Sequence, residues 1–375
     1  MQDYSIGRLV HFIVLLLNIC IVVALLLCQL WGRSEVKYAP MIQPLLPLLL
    51  LANLMFLVVW LVQWRLWVIL PLIGFLFQLP YLKATIQIFP RGHAVTEQRF
   101  YKSDSLPEIR ICTYNVHGFS YGMNRLTVWQ IAKLMRSNSM DVLCVQEFDI
   151  PNGGSLDSLE KVFSYFPYQA YCIQDSGLNL AIFSRYPIRT QQSIEVGKDG
   201  YHALWCDLAV GEKTVRIYDC HLQTTNFNQT RFNNAAGLWF WNYQEQAKNT
   251  NRMVGTIYDN TVKRNAQIRK IDRHIQTCPY PVIVCGDFNS TPASYVYDLI
   301  RRHLTDGFME VGRGYAYTYN QLYRLFRLDY IFYSEQLSGV EYWSVNKDFS
   351  DHNPVMMSVR LKALRDFKTS ALSAR

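Results

Sequence analysis

The chain has 375 residues, half of them hydrophobic, and a formal net charge of +8, which leaves room for one large domain and a separate apolar region. The charge is uneven: residues 1–100 hold 7 Lys/Arg against 3 Asp/Glu and the rest hold 30 against 26, so no strongly basic nucleic-acid-binding surface is advertised. Nine cysteines without one CxxC spacing offer neither a metal-ligand nor a disulfide pattern and suit a reducing compartment.

The apolar residues are concentrated at the front. Residues 9–30 form a run of 22 whose polar members are His11, Asn18 and Gln29, long enough for a helix across a hydrocarbon core about 30 Å thick. Residues 44–62 form a second run with Asn53 as its polar side chain, and residues 66–82 a third, shorter and interrupted by Pro71 and Gly74. Trp31, Trp60, Trp64 and Trp67 lie near the run ends, as aromatic residues do at membrane interfaces. Residues 1–82 therefore read as a transmembrane region of two or three helices, 83–108 as a linker, 109–363 as the main domain and 364–375 as a basic tail.

In the main domain, 109–114 reads as a strand and 126–136 as an amphipathic helix with Val128, Ile131, Leu134 and Met135 on one face. Strands follow at 141–146, 168–174, 180–184, 202–209 and 214–221; then come a long polar, helical stretch at 224–277 and a buried strand at 281–285. Helices mixed with runs of adjacent strands suggest two packed sheets with outer helices rather than one parallel doubly wound sheet.

Polar residues recur where these strands end. The run Val282 to Cys285 leads into Gly286, Asp287, Phe288 and Asn289; in extended chain i and i+2 share a face, so Asp287 and Asn289 point the same way. Asn115 follows the first strand and Glu147 the second, and His221 ends another. Asp329 heads a short strand, while Asp351 and His352 precede the last one. Taken singly each has a plain reading, Asn115 as a turn cap, Glu147 as a surface charge, Asp351 as the bracket of a loop. Six such places in one chain are hard to attribute to turns.

The set resembles the endonuclease/exonuclease/phosphatase superfamily, the fold of exonuclease III-like nucleases, pancreatic deoxyribonuclease, neutral sphingomyelinases and inositol-polyphosphate 5-phosphatases. The resemblance is carried, in the family's order, by Tyr-Asn-Val-His-Gly at 114–118, Gln-Glu at 146–147, His-Leu at 221–222, Gly-Asp-Phe-Asn-Ser at 286–290, Leu-Asp-Tyr-Ile at 328–331 and Ser-Asp-His-Asn-Pro at 350–354. It implies a four-layer α/β sandwich, two mixed β-sheets flanked by helices, here preceded by the transmembrane region. It also implies a hydrolase of phosphate esters, whose chemistry needs neutralised phosphoryl charge and an oriented water.

Glu147 and Asp351, with Asn115, are hard oxygen ligands suited to Mg²⁺, with Mn²⁺ the alternative. By resemblance, Asp287 beside Asn289 orients or deprotonates the attacking water, and His352 and His221 contact phosphoryl oxygens or the leaving group. Asp329 is the natural partner of His352, fixing its tautomer. The resemblance also places Asn179 in the cleft as a substrate-binding residue; His117, His202, His274 and His303 read as surface or core histidines.

His221-Leu222 stands where abasic-site nucleases carry a Tyr-containing motif, and Phe326-Arg327-Leu328-Asp329 replaces the Trp-Cys-Asp-Arg of 5-phosphatases. The match therefore leans to the phosphodiesterase, phosphatase and deoxyribonuclease branches. The leading reading is an integral, multi-pass membrane phosphoesterase acting on a lipid headgroup or a small phosphorylated compound. A membrane-tethered nuclease and an inactive scaffold on the same fold are the alternatives, nucleic acid being the less favoured partner. Residues 226–260, rich in Asn, read either as a substrate- or membrane-facing wall or as a helical surface insertion. Whether two or three segments span, five Lys/Arg flank the domain's side against two opposite, which places the domain in the cytoplasm.

Overall fold

Both faces of the strand Val282–Asp287 are apolar: Ile283 and Cys285 point one way, Val282 and Val284 the other, and all four are buried. Such a strand must lie inside a layered structure, and the computed structural model of the chain is layered. It describes residues 2–32, 43–88, 107–119, 126–149, 156–174, 178–197, 201–225 and 243–362.

Two six-stranded sheets lie face to face. The first runs in the order β10 (Thr305–Asp306), β12 (Asp329–Tyr333), β9 (Val282–Asp287), β8 (Lys213–His221), β7 (His202–Val210), β6 (Ile188–Glu195). The second runs β13 (Leu337–Ser344), β14 (Val355–Leu361), β2 (Glu108–Asn115), β3 (Val142–Phe148), β5 (Asn179–Ser184), β4 (Tyr168–Cys172). Ile111, Cys144 and Ile182 of one sheet meet Cys206, Ile217 and Cys285 of the other in a shared apolar core. The strands β6 and β13 were not expected, because β6 is an edge strand with an exposed polar run, Arg189 to Ser193.

Helices form the outer layers. Ile268, Ile271 and Ile275 of the long helix Tyr243–Gln276 pack on the outside of the first sheet, together with Val296 and Ile300 of the helix Tyr295–Arg301. Val128, Ile131 and Met135 of the helix Leu126–Ser137 cover the second, with Leu159 of the helix Leu156–Val162. The four-layer α/β sandwich expected from the resemblance is the fold. Of the Asn-rich stretch, residues 243–260 belong to the long helix, while 226–242 lie outside the described residues, as do the whole of the expected tail and residues 89–106 of the expected linker.

The N-terminal region is a helical bundle: α1 (Gln2–Gly32), α2 (Leu46–Val62) and the shorter α3 (Ile69–Phe77) and α4 (Leu79–Thr85). Gly7–Gly32, 26 residues, and Gln43–Val62, 20 residues, are each long and apolar enough to cross a membrane, whereas the third apolar run is bent by 59° between Phe77 and Leu79. The bend falls where Pro80, lacking an N–H, opens a new helix. Leu9, Phe12, Leu51 and Met55 point outward, while the polar side chains point inward: Trp60 Nε1 donates to Asn18 Oδ1 at 2.8 Å, Asn53 Nδ2 to the Pro71 carbonyl at 2.9 Å and Gln78 Nε2 to the Leu25 carbonyl at 2.6 Å. Amides inside an apolar bundle bond neighbouring helices in this way.

The bundle is fastened to the sandwich, so the first residues of the expected linker are packed structure instead. The strand β1 (Ile86–Gln87) pairs with β11 (Gly314–Tyr315). Arg327, fully buried, makes two bonds to the Asp306 carboxylate, at 2.7 and 2.6 Å, and one at 2.9 Å to the Ala84 carbonyl. Removing one member of a buried ion pair strands the other, at a cost of about 3–5 kcal/mol. Asp306→Ala is accordingly expected to lower the denaturant midpoint of the detergent-solubilised chain and to expose the segment around Ala84 to protease; an unchanged midpoint contradicts the clamp.

Candidate active site

Three neighbouring strands hold three polar residues level. Asp329 stands opposite Asp287 in the antiparallel pair β12–β9, and His221 stands beside Asp287 in the parallel pair β8–β9. The strands must close up at Gly286, φ +136°, where a Cβ would come 1.9 Å from the Cys220 carbonyl oxygen; glycine alone meets both conditions. From the second sheet come Asn115 at the end of β2 and Glu147 at an irregularity in β3, and the loop before β14 brings Asp351 and His352. His117, Glu147 and Asn289 have φ of +45°, +53° and +47°, left-handed backbone that costs about 1–3 kcal/mol at a residue other than glycine and gathers at functional sites. Asn bears it most readily.

Asp287, 1% exposed, is the hub. Its Oδ1 accepts the Asn289 backbone N–H at 2.8 Å; its Oδ2 accepts the amides of Asn115 at 3.1 Å and Asn289 at 3.2 Å. His352 Nε2 lies 3.7 Å from that Oδ2, and His352 Nδ1 bonds Asp329 Oδ2 at 2.8 Å. Asn115 also donates to Glu147 Oε1 at 3.0 Å, joining the two carboxylates. His221 Nε2 sits 3.1 Å from Glu147 Oε1 but makes no aligned hydrogen bond, so the contact is ionic.

The electrostatics follow from burial and these contacts. Burial pushes Asp287 up to about 6, against the pull of the His352 charge; a carboxylate of that kind is ionised at neutral pH and basic enough to take a proton from water. Burial would raise Glu147 as well, but His117 and His221 outweigh it and hold that carboxyl well below the usual range. Burial disfavours the His352 imidazolium, yet Asp329 and Asp287 outweigh it and hold the pKa well above the ordinary value.

A cavity of about 470 Å³ opens over this hub, lined by Asn115, Glu147, Asp287, Asn289, Asp351 and His352 among others. Asp329 and His221 do not line it; they stand behind His352 and Glu147. Nor does Asn179, whose amide donates to the Phe148 carbonyl and accepts from the Gln174 N–H. That amide ties the end of β3 to the segment that follows β4.

Two cavity residues escaped the sequence reading. His117, read there as a surface or core histidine, has Nδ1 3.5 Å from Glu147 and 3.8 Å from Asp351, and Glu147 raises its pKa. The spacing Asn115–His117 repeats the i, i+2 logic of Asp287–Asn289 and could have found it. Arg264, on the buried side of the long helix, lines the cavity with 4% exposure. Its guanidinium bonds the Gln223 carbonyl and Thr261 Oγ1, leaves Nε without a partner and has no carboxylate within 4 Å among the described residues. Burial pushes it down to about 10.

The donor set suits a hard divalent cation. Glu147 and Asp351 converge on one imidazole, and among the described residues their ion-pair partners are histidines, with no Lys or Arg to neutralise them. Donor atoms of Glu147, His221 and Asp287 lie within 4.8 Å of one another, as do those of Asp287, Asp329 and His352. Carboxylates and imidazoles without a thiolate can hold a divalent cation but do not suit a thiolate-bound one. The cysteines of the sandwich core, Cys144 and Cys285 among them, are free and buried.

Comparison with known proteins agrees with this geometry. A family model described as Endonuclease/Exonuclease/phosphatase family matches residues 112–352, and one described as Domain of unknown function (DUF8431) matches residues 11–85. No curated protein matches the chain. Among solved structures, the endonuclease/exonuclease/phosphatase from Bacteroides vulgatus is 16% identical with a TM-score of 0.50, covering 68% of this chain and 100% of its own. The one from Beutenbergia cavernae is 18% identical with a TM-score of 0.51, covering 68% and 72%. D. rerio TDP2 complexed with single strand DNA product is 15% identical with a TM-score of 0.51, covering 68% and 100%. These likenesses show the fold, and the family match spans the strands that carry Asn115, Glu147, His221, Asp287 and Asp329 and ends at His352. The chain belongs to the endonuclease/exonuclease/phosphatase family, whose members are metal-dependent phosphoesterases and nucleases.

Proposed function

We propose that the chain is a membrane-anchored, Mg²⁺-dependent phosphoesterase that hydrolyses a phosphate mono- or diester on a lipid headgroup or a small phosphorylated compound. The observation that carries the reading is Asp287, a buried carboxylate held by Asn115 and Asn289 beside the His352–Asp329 pair and opposite Glu147. In this reading Glu147, Asp351 and Asn115 hold the cation, Mn²⁺ being the alternative to Mg²⁺. When bound, the cation offsets negative charge on the phosphoryl oxygens. Asp287 takes a proton from water as the water oxygen bonds to phosphorus; the P–O bond to the alcohol breaks, and the departing alkoxide takes a proton from solvent. His352, kept protonated by Asp329, donates to a phosphoryl oxygen as charge builds there. His221 positions Glu147, and Asn289 fixes the rotamer of Asp287.

The same reading puts 109–363 as the catalytic domain on the cytoplasmic side. Gly32 and Gln43 line the domain's cavity, whereas Arg8 and Arg65, at the opposite ends of the same two helices, border a separate recess, which supports a three-pass arrangement with both at the end away from the domain. The remaining flanking cations, Arg33, Lys37, Lys83, Arg91 and Arg99, then share the domain's side.

Three outcomes test this. Turnover of bis-p-nitrophenyl phosphate by the full chain should stop in excess chelator and return with Mg²⁺, and Glu147→Gln should raise the Mg²⁺ concentration needed, because an anionic ligand becomes neutral; full turnover in chelator contradicts the reading. Asp287→Asn should cost about a hundredfold or more in kcat, the scale of a positioned acid/base group, with KM little changed. Asp329→Asn should cost less and act through His352, so the double variant Asp329→Asn with His352→Ala should lose no more than His352→Ala alone. Losses that multiply would refute the coupling.

A further inference from the structure

We infer that the ends of the membrane helices form part of the substrate site, and that the substrate is a phosphate ester of a bilayer lipid whose headgroup enters the cavity from the membrane side. The inference rests on the hydrolase reading above and narrows its substrate. Its starting point is the cavity wall: besides Asp287, Glu147 and His352, it includes Gly32, the last residue of α1, and Gln43 and Pro44, at the start of the second apolar helix.

The contact is built rather than incidental. A Cβ on Gly32 would lie 2.5 Å from the Ala293 carbonyl oxygen, and Ala293 follows Asp287 and Asn289 by a few residues. Gln43 Nε2 donates to the Gly32 carbonyl at 2.9 Å, tying the two helix ends together. Leu25, Cys28, Leu46 and Leu50 then pack in one cluster with Ala293. With the Arg327–Ala84 bond and the β1–β11 pair fastening the other end of the bundle, the helices cannot swing away without breaking all of these. The cavity that holds the chemistry therefore starts where the apolar helices stop.

The walls are mixed. Leu322 and Phe326, which pack together, give apolar lining, as does Ile257 on the long helix, and two turns along that helix Arg264 brings a buried cation with an unpartnered Nε and, among the described residues, no carboxylate within 4 Å. A soluble phosphate ester would leave the apolar wall unused. A lipid uses both, its phosphate at the carboxylate and histidine end near Arg264 and its glycerol against the apolar side. A cavity of about 470 Å³ is within the ~300–1,000 Å³ typical of small-molecule sites, suited to a headgroup, while the acyl chains stay along the outward Leu and Phe side chains of the bundle.

The test uses the full chain in phosphatidylcholine nanodiscs with Mg²⁺. Dioleoyl phosphatidic acid, phosphatidylglycerol and phosphatidylethanolamine are each compared with their soluble dibutyryl forms; bis-p-nitrophenyl phosphate and a single-stranded oligodeoxynucleotide complete the panel. At least one dioleoyl ester should be turned over with kcat/KM tenfold or more above its dibutyryl form. Gly32→Val should cut that long-to-short ratio fivefold or more, and Gln43→Ala should cut it less, both with the melting transition retained. Equal rates on long and short esters, preference for the oligonucleotide, or a ratio untouched in both variants would overturn the inference. Turnover of bis-p-nitrophenyl phosphate alone would overturn it while leaving the hydrolase reading intact, whereas no turnover of any probe would overturn both.

Discussion

Everything in the site depends on one bond between the sheets, from the Asn115 amide to Asp287 Oδ2. For most of their length the two sheets meet through apolar side chains such as Ile111, Ile217 and Cys285, where an unpaired carboxylate would cost several kcal/mol. At the end of the sandwich polar pairs replace that contact. Asn115 reaches Asp287, and Gln146 reaches Asp219, a carboxyl so buried that its pKa is held well above the usual range. The first of these pairs opens on the cavity and the second does not. Asn115 thus fixes the distance between the sheet that carries Asp287, Asp329 and His221 and the sheet that carries Glu147.

The residues legible in the sequence were those whose placement follows from strand geometry. Alternation gave the double-faced strand ending at Asp287, and i, i+2 spacing gave Asn289; their bonds to each other at 2.8 and 3.2 Å follow directly. The Asp329–His352 pair spans 23 positions, so no local pattern shows it; the segment Thr318–Tyr319 supplies the physical reason, Thr318 Oγ1 accepting the Asp329 N–H and Tyr319 bridging to His352. Arg264 was illegible because the buried face of its helix is itself polar, carrying Asn260, Asn265 and Gln267, and a polar helical stretch reads as solvated. The amide of Asn179 is engaged by the Phe148 carbonyl and the Gln174 N–H, a local use to which an amide at a strand start lends itself. The third apolar run was read as interrupted by Pro71 and Gly74, yet α3 runs through both, Pro71 falling in its first turn where a missing N–H is tolerated. The break comes at Pro80, and Gln78 turns to the Leu25 carbonyl, a partner that only the neighbouring helix supplies.

The N-terminal bundle changes what the fold can do. The amides of Asn18, Asn53 and Gln78, bonded between helices, and the small residue Gly74, packed against Asn53, set how the bundle closes. That closure sets where Gly32 and Gln43 meet the loop after Asp287. In this chain the helices add a wall to the cavity.

The central claim is that this polar junction directs water at phosphorus. Single-turnover hydrolysis of bis-p-nitrophenyl phosphate by the full chain in ¹⁸O-labelled water, with both products weighed by mass spectrometry, tests it directly. The account predicts one ¹⁸O in the phosphate-bearing product and none in the nitrophenol. Label in the nitrophenol would mean that the C–O bond breaks, and would contradict it.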